Sequence, residues 1–233
     1  AHCLIQGEGD VALPAFVGHI LRGASMEECR TAVPSLRSPN TPDLLTLPDL
    51  CDIETLPFAS AAFHLFRFRD TLQLNKYAPM IASRGCSYNC AFCSSHRMWR
   101  TVRSRSMESV RQEVVEYKNK VASCINFNDD AFMMHPNLPE MLNILAAEQI
   151  TWACETRLDK LDSELVDVCV ASGLKKLRIS IETIHVKSLS LLNKHITSTP
   201  REQTDMVRLL ISKGVEPIVS FMIGIPGESE REV

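Results

Sequence analysis

The sequence contains no uninterrupted run of about 18 apolar residues, so no membrane-crossing helix is expected. Its opening, AHCLIQGEGD, has neither a basic n-region nor an apolar h-region, and no signal peptide is expected from it. Charge of one sign is not in excess. The net charge of −3 gives no case for a nucleic-acid-binding surface. No Lys-Ser/Thr pair follows the glycine-rich turn Gly224–Gly227, which argues against a phosphate loop. An even set of cysteines in a short chain is also missing. There are nine in 233 residues, and six are scattered, which argues against a disulfide framework and for a reducing cytoplasm. What remains is an ordinary globular balance, 45% hydrophobic and 23% charged.

The most informative absence is a fourth cysteine. The stretch RGCSYNCAFCSS places Cys86, Cys90 and Cys93 within eight residues, and no fourth thiol is near in sequence. Thiolates are soft ligands that suit zinc or iron–sulfur clusters. Structural zinc is normally closed by four protein ligands. Electron-transfer clusters also usually take four cysteines. A cubane held by three thiolates leaves one iron without a protein ligand, and that iron can bind a reacting molecule. His96, three residues after Cys93, offers the alternative of a Cys3His zinc set, or it simply lies on the loop surface.

Along the chain, CLIQGEGD reads as a strand end and a glycine turn, and VALPAFVGHILRG as a helix stopping at Gly23. Residues 31–75 hold Pro34, Pro39, Pro42, Pro48 and Pro57 and read as an extended linker with aromatic anchors in FHLFRFRD. From about residue 78, strands and helices alternate. The predicted strands are PMIAS, CINF, ITWAC, LKKLRISI and PIVSFMIGIPGE. The helices between them include SMESVRQEVVEYKNKV, with Val110, Val114, Tyr117 and Val121 on one face, and NLPEMLNILAAE. Asp162 is the expected N-cap of DSELVDVCVASG. Thr199, Pro200 and Glu202 give a capping box, and Gly214 a stop, for TPREQTDMVRLLISKG. Alternation of this kind predicts an α/β fold with a parallel sheet. An open doubly wound sheet and a partial barrel both fit it. In either, ligands sit at the carboxyl ends of the strands. Those ends carry the cysteines, Asn128-Asp129-Asp130, Glu155 and Arg157, Glu182, and Gly224-Ile225-Pro226-Gly227-Glu228.

CSYNCAFC resembles the CxxxCxΦC signature of radical S-adenosylmethionine (SAM) enzymes, with Phe92 as Φ. GEGD, DLCDIETLPF, RSRSMESVRQEV, FNDDAF, WACETRLD, RISIET, LNKHIT and FMIGIPGES follow in the order of the subgroup with an N-terminal cobalamin-binding domain. Thr183 stands where a serine is usual. The resemblance implies a truncated TIM-like barrel over 76–233, a linker over 31–75, and a Rossmann-like cobalamin-domain remnant over 1–30. The subgroup's DxHxxG cobalamin motif does not occur in this sequence, so cobalamin is expected only in a longer parent protein.

The resemblance also implies roles. Cys86, Cys90 and Cys93 would hold a [4Fe–4S] cluster whose open iron chelates SAM, and reductive cleavage would give a 5′-deoxyadenosyl radical. Phe92 would pack near the adenine, or merely anchor the loop. Asp129 and Asp130 would meet the SAM ammonium, with helix capping by Asp130 as the alternative. Arg157 would pair with the SAM carboxylate, or with Glu155 or Glu182. Ser180 and Glu182, on one strand face by period two, would contact the ribose. Gly224, Pro226 and Gly227 would lie against the adenine, or form a simple turn. The other cysteines read as structural, with Cys154 nearest the site, and Lys175-Lys176 reads as a solvated edge. A small-molecule substrate and an external one-electron donor, flavodoxin- or ferredoxin-like, complete the set. The implied activity is a cobalamin-dependent methylase or cyclase. A methylthiotransferase and a non-catalytic zinc module are the alternatives.

Overall fold

The computed structural model describes residues 4–37, 50–62, 77–120 and 124–229. The chain divides into two compact units, Ala1–Leu56 and Pro57–Val233.

In the first unit, β1 (Leu4–Ile5) leads into α1 (Gly9–Leu21), then α2 (Met26–Ala32) and β2 (Leu36–Arg37), which pairs antiparallel with β1. Ser25 and Glu28 form a reciprocal capping box that starts α2. Ala12, Cys29, Val33 and Leu36 are the small core. β2 is not expected from the sequence because the prolines around it read as extended linker, and α2 fills the stretch between the helix stop at Gly23 and that linker, where the sequence predicts no element. The aromatic run of residues 63–70, together with Cys3 and Val121, lies outside the described residues.

The second unit begins with the short α3 (Ala59–Ala62) and is built on a five-stranded parallel sheet. Its strands are β3 (Ala78–Met80), β6 (Cys124–Phe127), β7 (Thr151–Arg157), β8 (Leu174–Glu182) and β9 (Glu216–Phe221), adjacent in that order. A two-stranded ribbon, β4 (Ser83–Arg84) with β5 (Arg103–Ser104), and the short α4 (Ser95–Trp99) frame the cysteine loop. The main helices are α5 (Met107–Lys120), α6 (Leu138–Ala147), α7 (Ser163–Ala171) and α9 (Pro200–Ser212), with the short α8 (Val186–Leu191) after β8.

The strand order decides what the sequence left open. A doubly wound sheet reverses its order at a switch point, where the ligand binds. Here each sheet strand lies beside the one before it in the chain, and α5, α6, α7 and α9 pack successively into one core. That is the progression of a barrel wall, and the fold is a partial TIM-like barrel.

One face of the sheet carries the core. Ile125, Phe127, Trp152, Leu177 and Ile179 bury there against Val110, Val114, Tyr117, Met141, Leu145 and Leu210. Phe127, Phe132 and Trp152 form an aromatic cluster with centroids 4.5–6.3 Å apart. The expected caps are present, since Asp162 accepts from Leu165 N–H and the Thr199–Glu202 box closes α9. Three corrections follow. β7 runs on through Glu155 to Arg157, so both residues lie within the strand rather than after it. β8 is an interior strand, so Lys175-Lys176 is not on a sheet edge; Lys176 Nζ pairs with Glu216 on β9 at 3.0 Å. Period two breaks at the end of β8, where the register shifts between Ser180 and Glu182.

Candidate functional site

The cysteine loop leaves β4 through Gly85, whose φ is +98°. A Cβ there would lie 2.4 Å from the Thr101 carbonyl oxygen, so only glycine fits. Two aspartates at the end of β6 hold the loop by its backbone. Asp129 accepts from Ala82 N–H (3.0 Å), Ser83 N–H (2.5 Å) and Ser83 Oγ–H (2.6 Å). Asp130 accepts from Gly85 N–H (2.9 Å) and Ser95 Oγ–H (2.6 Å). Asp130 therefore does not cap a helix. Burial raises the Asp129 carboxyl to about 6, against the lowering effect of its three hydrogen bonds.

The three sulfurs sense one another. Burial raises the Cys86 thiol, a Tyr88 backbone hydrogen bond lowers it, and Cys90, Asp130 and Cys93 raise it further. Burial also raises Cys90, while Arg157 and Lys194 pull it down. Three soft donors on one loop, with the Arg157 guanidinium 3.6 Å from Cys90 Sγ, are a donor set that suits a soft metal or an anionic iron–sulfur cluster.

Arg157, buried at the end of β7, pairs with neither Glu155 nor Glu182. Its Nε and Nη2 make a bidentate pair with Asp159 at 2.8 and 3.2 Å. Its guanidinium stacks on Tyr88 at 3.8 Å, and Nη1 reaches Cys90 Sγ at 3.6 Å. Glu155 pairs instead with Arg178 at 3.3 Å and accepts from Ser180 Oγ–H at 3.3 Å. Glu182 pairs with Lys194 at 2.9 Å. Asp159, Tyr88 and Lys194 were missed as site residues. The signal for Lys194 was its place in LNKHIT, which the sequence reading quoted without assigning a role.

Of the candidate site residues, Cys93, Asp129 and Asp130 line one cavity and Glu182 lines another. The first, of about 300 Å³, is lined by Cys93, Asp129, Asp130, Asn126, Glu155 and Arg178, among others. The second, about 460 Å³, is lined by Glu182, Thr183, Phe221, Met222, Ile223 and Glu228, among others. Gly224 and Gly227 adopt φ of +81° and +91°, with open space where a Cβ would stand. Their turn, through Pro226, is closed by Glu228, whose Oε2 accepts from Gly224 and Ile225 N–H at 3.1 and 2.9 Å. Phe92 is 44% exposed on the cysteine loop. Cys154 is buried against the helix side of the sheet, and its thiol is raised well above normal by burial.

Residues 80–233 match the Radical SAM superfamily, and the chain belongs to it. Members of this superfamily are enzymes that bind a [4Fe–4S] cluster and SAM. Among curated relatives, the chain is 27% identical over 177 residues to an uncharacterized methyltransferase, PH0819, of Pyrococcus horikoshii, covering 70% of this chain and 38% of that one. It is 25% identical over 157 residues to the anaerobic magnesium-protoporphyrin IX monomethyl ester cyclase of Cereibacter sphaeroides, covering 64% and 25%. Among solved structures, it shares its fold with the radical SAM methyltransferase TsrM of Kitasatospora setae, solved with tryptophan substrate and a SAM analogue bound. The TM-score is 0.67 at 17% identity, covering 99% of this chain and 47% of that one. The chain thus spans less than half the length of each of these proteins.

Proposed function

We propose that this chain is the cluster- and SAM-binding core of a cobalamin-dependent methylase or cyclase-like radical SAM enzyme. The observation that carries the reading is the donor set. Three thiols, not four, sit on one loop at the carboxyl end of the first sheet strand, with the Arg157 guanidinium 3.6 Å from Cys90 Sγ. Cys86, Cys90 and Cys93 would hold the [4Fe–4S] cluster. Bound together, cluster and SAM supply hydrogen-atom abstraction from a substrate.

The chain's own residues then have distinct tasks. Asp129 and Asp130 fix the loop backbone, so that the thiols start close to the geometry they need. The buried Asp129 carboxylate is fully engaged there, and the exposed Asp130, which lines the same cavity, would meet the SAM ammonium. Arg157 offsets the negative charge of the thiolates. Ser180 and Glu182 face the ribose, and the Gly224–Pro226–Gly227 turn with Phe92 flanks the adenine. The substrate is small and polar, because the cavity by Cys93 is lined by Asn126, Glu155, Lys176 and Arg178. A flavodoxin- or ferredoxin-like protein would supply the electron. Cobalamin would bind in the full-length protein, through a domain of which residues 1–30 are part. A cytoplasmic location suits the reduced thiols, and among the described residues no helix is long and apolar enough to cross a membrane.

Anaerobic reconstitution tests this reading. Four irons and four sulfides per chain, with 5′-deoxyadenosine formed from SAM and dithionite, are the expected outcome. One zinc per chain and no SAM cleavage would leave a metal-stabilised binding module instead.

A further inference from the structure

Lys194 is 2% exposed and follows α8 with no catalytic assignment. Burying an ammonium is costly unless it is paired and hydrogen-bonded. Its Nζ donates to the Ser180 carbonyl at 2.7 Å and to Glu182 Oε1 at 2.9 Å. These groups flank the irregular end of β8. There Glu182 has φ of +67°, an unfavourable value for a residue with a side chain, and the register with β9 shifts. The Glu182 carbonyl is held in turn by Met222 N–H at 2.7 Å, next to the glycine turn. The two residues before Lys194 grip the cysteine loop. The Leu192 carbonyl accepts from Ala91 N–H at 2.9 Å, and Asn193 Nδ2 donates to the Asn89 carbonyl at 2.6 Å. Asn89 and Ala91 are the residues on either side of Cys90.

Three consecutive residues therefore hold both sides of one thiol ligand and both polar groups at the end of β8. We propose that the turn Leu192–Lys194 is a brace that sets the distance between the cluster loop and Glu182, and that Lys194 is its positioning residue. The inference rests on the proposed function for what the two ends bind, but the mechanical coupling does not. Lys194 keeps a strained Glu182 in place, and through Leu192 and Asn193 the same turn keeps Cys90 at a fixed offset from it.

The test uses Lys194→Met in the full chain, read in two ways. In the metal-free protein, amide hydrogen exchange should speed at least tenfold at Met222 and Ala91, while the core amides of α5 keep their protection. Unchanged exchange at both amides would overturn the brace whatever the chain does as an enzyme. In the reconstituted protein, iron content should stay at four per chain. SAM affinity, read from the change in the reduced cluster's electron paramagnetic resonance spectrum on titration, should fall about tenfold or more. Four irons with wild-type SAM affinity would overturn the positioning role. Should Lys194→Met not fold, Asn193→Gly removes the exposed side chain that bonds the Asn89 carbonyl and His195, and tolerates the φ of +50° that alanine would strain. It should speed Ala91 exchange and weaken SAM binding two- to fivefold, and wild-type values for both would sink the proposal. A wild-type chain that loads no cluster, with exchange at Met222 and Ala91 still coupled to Lys194, counts against the function and not against the brace.

Discussion

The two faces of the parallel sheet are built from the same strands and have opposite chemistry. On the helix side, Ile125, Phe127, Trp152, Leu177 and Ile179 are buried almost completely. On the other side, alternate residues of the same strands are Asn126, Glu155, Lys176, Arg178 and Ser180, none of them fully buried. Side chains in a strand alternate between faces, so one register sets both surfaces at once. Barrel interiors are usually filled with bulky branched residues. A polar inner wall forgoes that packing energy and leaves space that a ligand can fill. The helix side therefore carries stability, and the inner side offers the polar space that the proposed function needs.

The largest effect that would test this division belongs to the inner side. Replacing any one of Cys86, Cys90 or Cys93 by alanine should reduce bound iron to near zero and SAM cleavage at least 100-fold, while circular dichroism keeps the helical signal. Loss of helix along with the iron would mean that the cluster is structural.

The helix side should respond in the opposite way. Trp152→Ala empties the centre of the aromatic cluster and removes the indole N–H bond to the Ser172 carbonyl at 3.1 Å. It should cost about 3–5 kcal/mol in a urea melt. A loss under about 1 kcal/mol would show that the helix side does not hold the fold.

Asp129 lies between the two roles, since it is buried and serves the loop. Asp129→Asn leaves at least one of its three donors facing an amide N–H, and should cost about 2 kcal/mol at pH 7. The pH dependence has a definite sign. Burial raises the folded carboxyl from 3.8 to about 6, so the folded chain binds the proton more tightly than the unfolded chain. The resulting contribution is complete below about pH 3.8, is lost as pH rises through about 6, and is flat above. The advantage of the wild type over the asparagine variant should therefore narrow between pH 4 and 7. A widening gap would mean that the ionised form is the better-held one.

Two small effects complete the comparison. Thr199→Ala removes the cap of α9 and should cost about 1 kcal/mol with SAM affinity unchanged. Arg178→Ala breaks a half-exposed inner-wall pair and should change stability by less than about 1 kcal/mol. A larger loss there would show that the inner wall also carries stability.

Much of this was legible in the sequence because it is local. The cysteine spacing, the caps at Asp162 and Thr199, and the five apolar strands depend on neighbours within a few residues, and their physics does not need the rest of the chain. The partners of buried charges were less legible. For Arg157 the protein partners offered beside the SAM carboxylate were Glu155 and Glu182, yet Asp159, two residues on, turns back to pair with its Nε and Nη2. Lys194 looked like one polar residue among several in LNKHIT, and only burial makes it a brace.

By itself the sequence determined which groups could bind a cluster, and that helices and strands alternate, because donor chemistry and hydrophobic periodicity are written residue by residue. Only the tertiary structure decided that the sheet runs in chain order as a barrel wall and that Cys90 lies beside Arg157, with Glu182 held by Lys194. Strand order and ion pairing are set by which distant segments share a buried space. That follows from packing the whole chain at once.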